Sequence, residues 1–249
     1  MRPLTHQVPK CMLEFEGRPL IEYTVEGLRQ AGCDEIIIVT GHLADQVKVQ
    51  GCKTVFNADY EHNNILHSLM YAREAMVEDV CVTYSDILVN SRVYRELAAA
   101  AGDIVVVGDR DWQPYYEGRT CNPPSEAEKA FLEGERDRGW RVRVIGKHLD
   151  PAQANSYLCA EFLGLWKMSV KGARVFRAHF ESLDKRLAPS SPFQASKEWR
   201  KAYVTDFLTD LIDSGVAVDC LVIERGWAEF DTVQDYERLP GIAARQRLL

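Results

Sequence analysis

Apolar positions along the chain alternate between two periods, and the switches mark out helices and strands. "LIEYTVEGLRQAG" sets Leu20, Ile21, Thr24, Val25 and Leu28 on one helical face and closes at Gly32. "EIIIVTG" follows as an unbroken apolar run, the pattern of a strand covered on both faces. "KTVFN" reads as a short strand and "ILHSLMYAREAM" as a helix with Ile65, Leu69, Ala72 and Met76 in line. "DVCVTYSD" is a second buried strand, "RVYRELAAAA" a helix and "DIVVVG" a third strand. This alternation predicts an α/β fold, a mostly parallel sheet with helices on both faces.

The rhythm changes after Gly108. "RDWQPYYEGRTCNPPSEAE" has neither period and is rich in Pro, Gly, Arg and aromatics, so it reads as a loop or lid. "AFLEGERDRGWRVRVIG" reads as a hairpin and "AEFLGLWKM" as a strand. Ser169 is placed to cap a helix through "ARVFRAHFESL", "VTDFLTDLIDSG" is amphipathic, and "VAVDCLVI" and "AEFD" give two closing strands. The expectation is one domain over 1–249: a nucleotide-type half over 1–108, then a second-substrate half over 109–249 with its lid at about 109–150.

Composition narrows the function classes. At 46% apolar and 27% charged over 249 residues, the chain has material for a sizeable core. A net charge of −7 argues against a nucleic-acid partner held by phosphate contacts. No apolar run approaches the roughly 20 residues of a membrane span, and the chain opens without a secretion-signal pattern. Its 7 cysteines are scattered without a C-x-x-C pair, which reads as reduced thiols in a cytoplasmic protein.

Three places carry candidate chemistry. "VCVTYSD" delivers Asp86 at the carboxyl end of a buried strand, where open α/β sheets bind ligands. A carboxylate there suits Mg²⁺, which takes one or two carboxylates and completes its shell with water and substrate phosphates; it equally suits a turn or a helix cap. "GWAEFDTVQDYERL" repeats the arrangement with Asp231, although Asp231 or Thr232 with Asp235 also makes a good helix cap. Lys10, in the proline-fixed "VPKCM", can serve as a point charge for phosphates or simply lie solvated. Asn57, Asn63 and Asn64 in "NADYEHNN" can hydrogen-bond a base or make turns.

Taken in order, "RPLT", "VPKCML", "GRPLIEYTVEGLRQAGCDEIIIVTGH", "FNADYEHNNILHSL", "VTYSDIL", "AEFLGLWKMS" and "WAEFDTVQDYERL" make the chain resemble the nucleotidyltransferase superfamily over nearly its whole length. Its small cytidylyltransferase branch, which acts on choline phosphate or phosphonates, is more similar than the sugar-phosphate enzymes. The resemblance implies a Rossmann-like (GT-A-like) mixed sheet with a lid and hairpin insertion, and transfer of a nucleoside monophosphate, CMP from CTP, to a small phosphate or phosphonate acceptor. It places Lys10 on the triphosphate, Asp86 and Asp231 on Mg²⁺, and Ser85, Asn63 and Asn64 near the base and acceptor. Such enzymes open with a strand and a Gly-rich loop ahead of "RPLT", whose N–H groups hold the triphosphate. The expectation is therefore a start further upstream than Met1.

For the acceptor, "RDWQPYYEGR" offers Trp112, Tyr115 and Tyr116 as a cage for a quaternary ammonium, or Arg110 and Arg119 for an anion. The same aromatics would also pin the loop. Lys147 and Glu161 are further acceptor candidates, and a homodimer stays open. The rival readings are a sugar-1-phosphate nucleotidylyltransferase, a metal-dependent glycosyltransferase and a non-catalytic nucleotide-binding protein. Glycosyltransferases usually carry Asp-x-Asp where this chain has Tyr84-Ser85-Asp86.

Overall fold

The computed structural model describes residues 4–136, 138–246 and 248. A small hairpin of β1 (Glu14–Phe15) and β2 (Arg18–Pro19) leads into α1 (Leu20–Gln30), β3 (Ile37–Thr40) and β4 (Lys53–Phe56). Then come α2 (Ile65–Leu69), β5 (Val80–Thr83), β6 (Ile87–Val89), α3 (Ser91–Ala99) and β7 (Ile104–Asp109). The second half holds β8 (Lys129–Glu135), β9 (Gly139–Gly146), β10 (Leu158–Met168), α4 (Val170–Arg186), α5 (Val204–Asp213), β11 (Asp219–Ile223), β12 (Trp227–Glu229) and α6 (Val233–Gln246).

The main sheet runs β5-β10-β7-β11-β9-β8, with β10 also pairing β8. Within it β7 and β11 are parallel, while β10 runs antiparallel to β5, β7 and β8. Helices bury both faces, as an α/β architecture requires, but the sheet is mixed rather than mostly parallel as the alternation predicted. Its parallel pair among the described strands is β7–β11, because the hairpin β8–β9 and the long strand β10 enter it antiparallel. Alternate residues of β7 show this directly: Val105 and Val107 pack into the cluster of α1, α3 and α6, while Ile104 and Val106 pack into that of α4 and α5. Ser169 accepts from the Gly172 N–H at 3.1 Å and so caps α4, as expected.

The first half is less closed than the pattern predicted. Among the described residues β3 pairs only with β4, in parallel, as a separate two-stranded sheet. Ile37, Ile38 and Val39 are half-buried rather than covered, and so is all of β5. The reason is a cavity of about 1100 Å³ lined by β3 and the second edge of β5, with Ile21, Val25 and Leu28 of α1 along it. The carboxyl ends of both strands, Thr40 and Ser85, reach one smaller cavity, so the two edges run in the same direction.

Candidate active site

Two short strands bring the distant aspartates together. β12 pairs antiparallel with β6, with Glu229 opposite Ile87, so the residues flanking that pair are neighbours across the ribbon. Asp86 precedes β6 and Asp231 follows β12; the Phe230 N–H donates to the Asp86 carbonyl at 3.2 Å. On the other side, the Tyr84 N–H donates to the Gly164 carbonyl at 2.8 Å, anchoring the residue two before Asp86. β10 shifts register here, between Phe162 and Trp166, and Gly164 turns through φ +73°. A Cβ on Gly164 would stand 2.1 Å from the Tyr84 ring, so only glycine fits.

Lys10 stands between the two carboxylates. Its Nζ lies 2.7 Å from Asp86 Oδ2 and 2.5 Å from Asp231 Oδ1. It sits in a 3₁₀ turn, Lys10–Met12, fixed by Pro9, whose carbonyl accepts from the Met12 N–H at 2.8 Å. Burial works against the ammonium charge, but attraction from Asp86 and then Asp231 outweighs it and holds the Lys10 pKa above its ordinary value. Beside this triad lies a cavity of about 430 Å³ lined by Thr5, Pro9, Ser85, Thr40, Gly41 and His42, among others. The three residues expected to carry the chemistry therefore meet at the carboxyl ends of strands, with Ser85 on the adjoining wall.

Helix capping at Asp231 is done by its neighbours. Asp235 Oδ2 accepts from the Thr232 N–H at 2.9 Å and the Thr232 hydroxyl at 2.8 Å, and Thr232 Oγ1 accepts from the Asp235 N–H at 3.2 Å. That box occupies Thr232 and Asp235 while the Asp231 carboxylate reaches Lys10.

The other predicted residues lie elsewhere or face inward. Asn63 exchanges side-chain hydrogen bonds with Asn57 at 2.9 and 3.0 Å. Asn64 caps α2 through the Ile65 N–H at 2.9 Å and donates to the Lys201 carbonyl at 3.1 Å. Neither borders the 430 Å³ cavity; both brace a turn in this structure. Trp112, Tyr115 and Tyr116 are buried, and protein cations already occupy their faces: Arg119 lies 4.9 Å from the Tyr115 centroid and 4.7 Å from that of Tyr116. Arg225 lies 4.7 Å from the Tyr115 ring and 5.6 Å from that of Trp227. Arg119 is itself paired with Glu229 at 2.9 Å and Asp235 at 2.8 Å. Lys147 pairs with Glu126 at 3.1 Å. Glu161 is buried and accepts from the Tyr116 hydroxyl; burial and then Glu229 push its carboxyl well above the usual range.

Four residues beside the triad carry no signal picked out in the sequence. Asn122 donates to Asp231 Oδ2 at 3.2 Å, from inside the aperiodic "TCNPP". Thr40, Gly41 and His42 form a cavity wall at the carboxyl end of β3. The strand-end rule that picked out Asp86 applies equally to "VTGH" and would have found them.

Among the described residues no group of three or more His, Cys, Asp or Glu is arranged to hold a metal. Mg²⁺ asks for less, one or two carboxylates with water and phosphate oxygens. Asp86 and Asp231 are hard oxygen donors that already converge on one cationic atom, Lys10 Nζ, so they fit such an ion.

A mixed α/β sheet that brings two strand-end carboxylates and a lysine together beside a cavity is shared by several nucleotide-using enzymes, and the family match makes this one a nucleotidyltransferase. Residues 4–152 match the MobA-like NTP transferase domain, and the chain belongs to that family. It is 28% identical to CTP:phosphoglutamine cytidylyltransferase of Campylobacter jejuni, over 95% of this chain and 93% of that protein. It is 30% identical to choline-phosphate cytidylyltransferase of Streptococcus pneumoniae, over 39% of this chain and 44% of that one. Among solved structures, the CTP:phosphocholine cytidylyltransferase of S. pneumoniae superposes with a TM-score of 0.72 at 22% identity, covering 97% of this chain and 92% of that one. No helix among the described residues is long and apolar enough to cross a membrane.

Proposed function

We propose that this nucleotidyltransferase moves CMP from CTP to a small phosphorylated or phosphonate acceptor and releases pyrophosphate, with Mg²⁺ held by Asp86 and Asp231. The observation that carries the reading is the meeting of Lys10, Asp86 and Asp231 beside the 430 Å³ cavity. An acceptor oxygen attacks the α-phosphorus in line; the bond to the bridging oxygen breaks and pyrophosphate leaves with its electron pair. Such catalysis is positioning plus charge neutralisation, so an acceptor already anionic at neutral pH needs no dedicated base. Lys10, held cationic, neutralises the phosphate charge, and the bound ion supplies Lewis-acid stabilisation of the phosphoryl oxygens.

The lid rings are filled by Arg119 and Arg225, which supports an acceptor without a quaternary ammonium over phosphocholine. The phosphoglutamine named for the Campylobacter relative is of that kind.

Pyrophosphate release from CTP, UTP, dTTP and GTP tests the reading. Acceptors are phosphoglutamine, phosphocholine, simple phosphonates and sugar-1-phosphates, with this chain and an amino-terminally extended form. CTP with an acceptor lacking a quaternary ammonium is expected to react, and Asp86→Asn to slow it at least about 100-fold. Full activity in Asp86→Asn, or silence of the extended form with every pair, would sink the assignment.

A further inference from the structure

Arg119 was expected to bind an anionic substrate, yet its side chain is only 1% exposed and is held on three sides by protein. Its Nε lies 2.8 Å from Asp235 Oδ1, Nη2 donates to Asp235 Oδ2 at 3.0 Å, and Nη1 donates to Glu229 Oε1 at 2.9 Å. Tyr115 and Tyr116 stack on the guanidinium from the lid side. Asp235 Oδ2 also accepts the Asp231 N–H at 3.2 Å, so one carboxylate joins the arginine to the backbone of the functional aspartate. The lid holds the same stretch at further points, among them the Thr120 N–H, which donates to Gln234 Oε1 at 2.9 Å, and Gln234 Nε2, which donates to the Gly118 carbonyl at 2.9 Å. Tyr115 Oη donates to the Glu229 carbonyl at 2.7 Å and accepts its N–H at 2.9 Å, and Asn122 reaches the Asp231 carboxylate.

We propose that Arg119 is a positioning residue: through Asp235 and Glu229 it ties the 109–128 segment to the turn that presents Asp231. The turn from Phe230 to Thr232 follows a strand of only three residues, so the β6–β12 ribbon alone orients it weakly. A buried guanidinium spanning two carboxylates supplies the missing rigidity, because its planar fork fixes both partners at once. Lysine keeps the charge and loses the fork, leaving one of the two carboxylates without its donor. Asp231 would then keep its identity and lose its aim. The proposal rests on Asp231 acting as a cation ligand, the role given to it above.

The test measures Mn²⁺ binding in the presence of CTP, by loss of the free-ion EPR signal, in the unaltered chain, Arg119→Lys, Asp235→Asn and Asp231→Asn. Thermal melting of each variant and kcat and KM for the acceptor are measured alongside. Arg119→Lys and Asp235→Asn are each expected to weaken Mn²⁺ binding by about 10- to 100-fold, the usual effect of removing a group that orients a ligand. The acceptor KM should stay within about twofold, and added Mg²⁺ should restore part of kcat. A raised acceptor KM with unchanged Mn²⁺ affinity would instead make Arg119 an acceptor ligand. A lowered melting temperature with unchanged Mn²⁺ affinity would leave it a packing residue, and either result overturns the proposal. Should Arg119→Lys fail to fold, the Asp235→Asn result decides. Wild-type Mn²⁺ affinity in Asp231→Asn would remove the metal role of Asp231 itself, a failure separable from that of the clamp.

Discussion

"DIVVVG" and "EIIIVTG" are nearly the same pattern, yet their strands meet different fates. β7 lies between β10 and β11, and every residue from Ile104 to Asp109 is buried. β3 has β4 on one side and the 1100 Å³ cavity on the other, and it keeps only Thr40 buried. An apolar run declares that a strand can be covered on both faces; its neighbours decide whether it is. The side carrying β7 is therefore closed and close-packed, while on the side carrying β3 one edge of β3 and one of β5 face the cavity without a strand partner among the described residues.

The largest expected contrast is in packing. Phe207 is fully buried and its ring lies 4.5 Å from that of Phe176, so Phe207→Ala should lower stability by about 3–5 kcal/mol. Ile38 already borders open space, so Ile38→Ala should cost less than about 1.5 kcal/mol, both read by urea denaturation. Equal losses would mean that the cavity closes in solution.

A smaller contrast is in acid sensitivity. His67 packs between Phe180 and Trp199 with centroids at 5.1 and 4.8 Å, and burial lowers its pKa below the ordinary 6.5 despite the Trp199 carbonyl. The unfolded chain then takes up the proton first, so stability falls as pH drops through about 6.5. His67→Gln should lose less melting temperature than the parent between pH 7 and pH 5. An identical acid profile would show that this ring does not govern it.

The smallest effect belongs to the open side. Cys33 and Cys81 both line the large cavity, and the Cys81 thiol, hydrogen-bonding to Cys33, brings the Cys33 pKa down to about 7 against the effect of burial. Alkylation of Cys33 by iodoacetamide, followed by peptide mass, should rise through pH 7, and Cys81→Ala should move that rise upward. A rise only near pH 9 in the parent would show that the two thiols do not meet.

Much of this was legible beforehand because it is local. The face of α1, the Ser169 cap, the Thr232–Asp235 box and the placement of Asp86 and Asp231 at strand ends all follow from short-range patterns. The face read over 65–76 fails, since Ile65 is exposed, Leu66 and Met70 are buried, and the α-helix stops at Leu69. Other features depend on which distant segments meet. Asn63 and Asn64 have the chemistry of base readers, yet Asn57 and the Lys201 carbonyl engage them. Tyr115 and Tyr116 suit an ammonium cage and Arg119 an anion, and only the tertiary structure shows that they stack on one another. Burial of a polar group is a property of its partners, and no periodicity announces those.

Gly164 has a consequence for how such a gene tolerates change. It bears no functional group, and a search for catalytic side chains passes over it. Any Cβ there would displace the Tyr84 ring, and with it the backbone that sets the direction of Asp86. Codon 164 thus carries part of the inheritance of the carboxylate site, written in the one residue type that leaves the space empty.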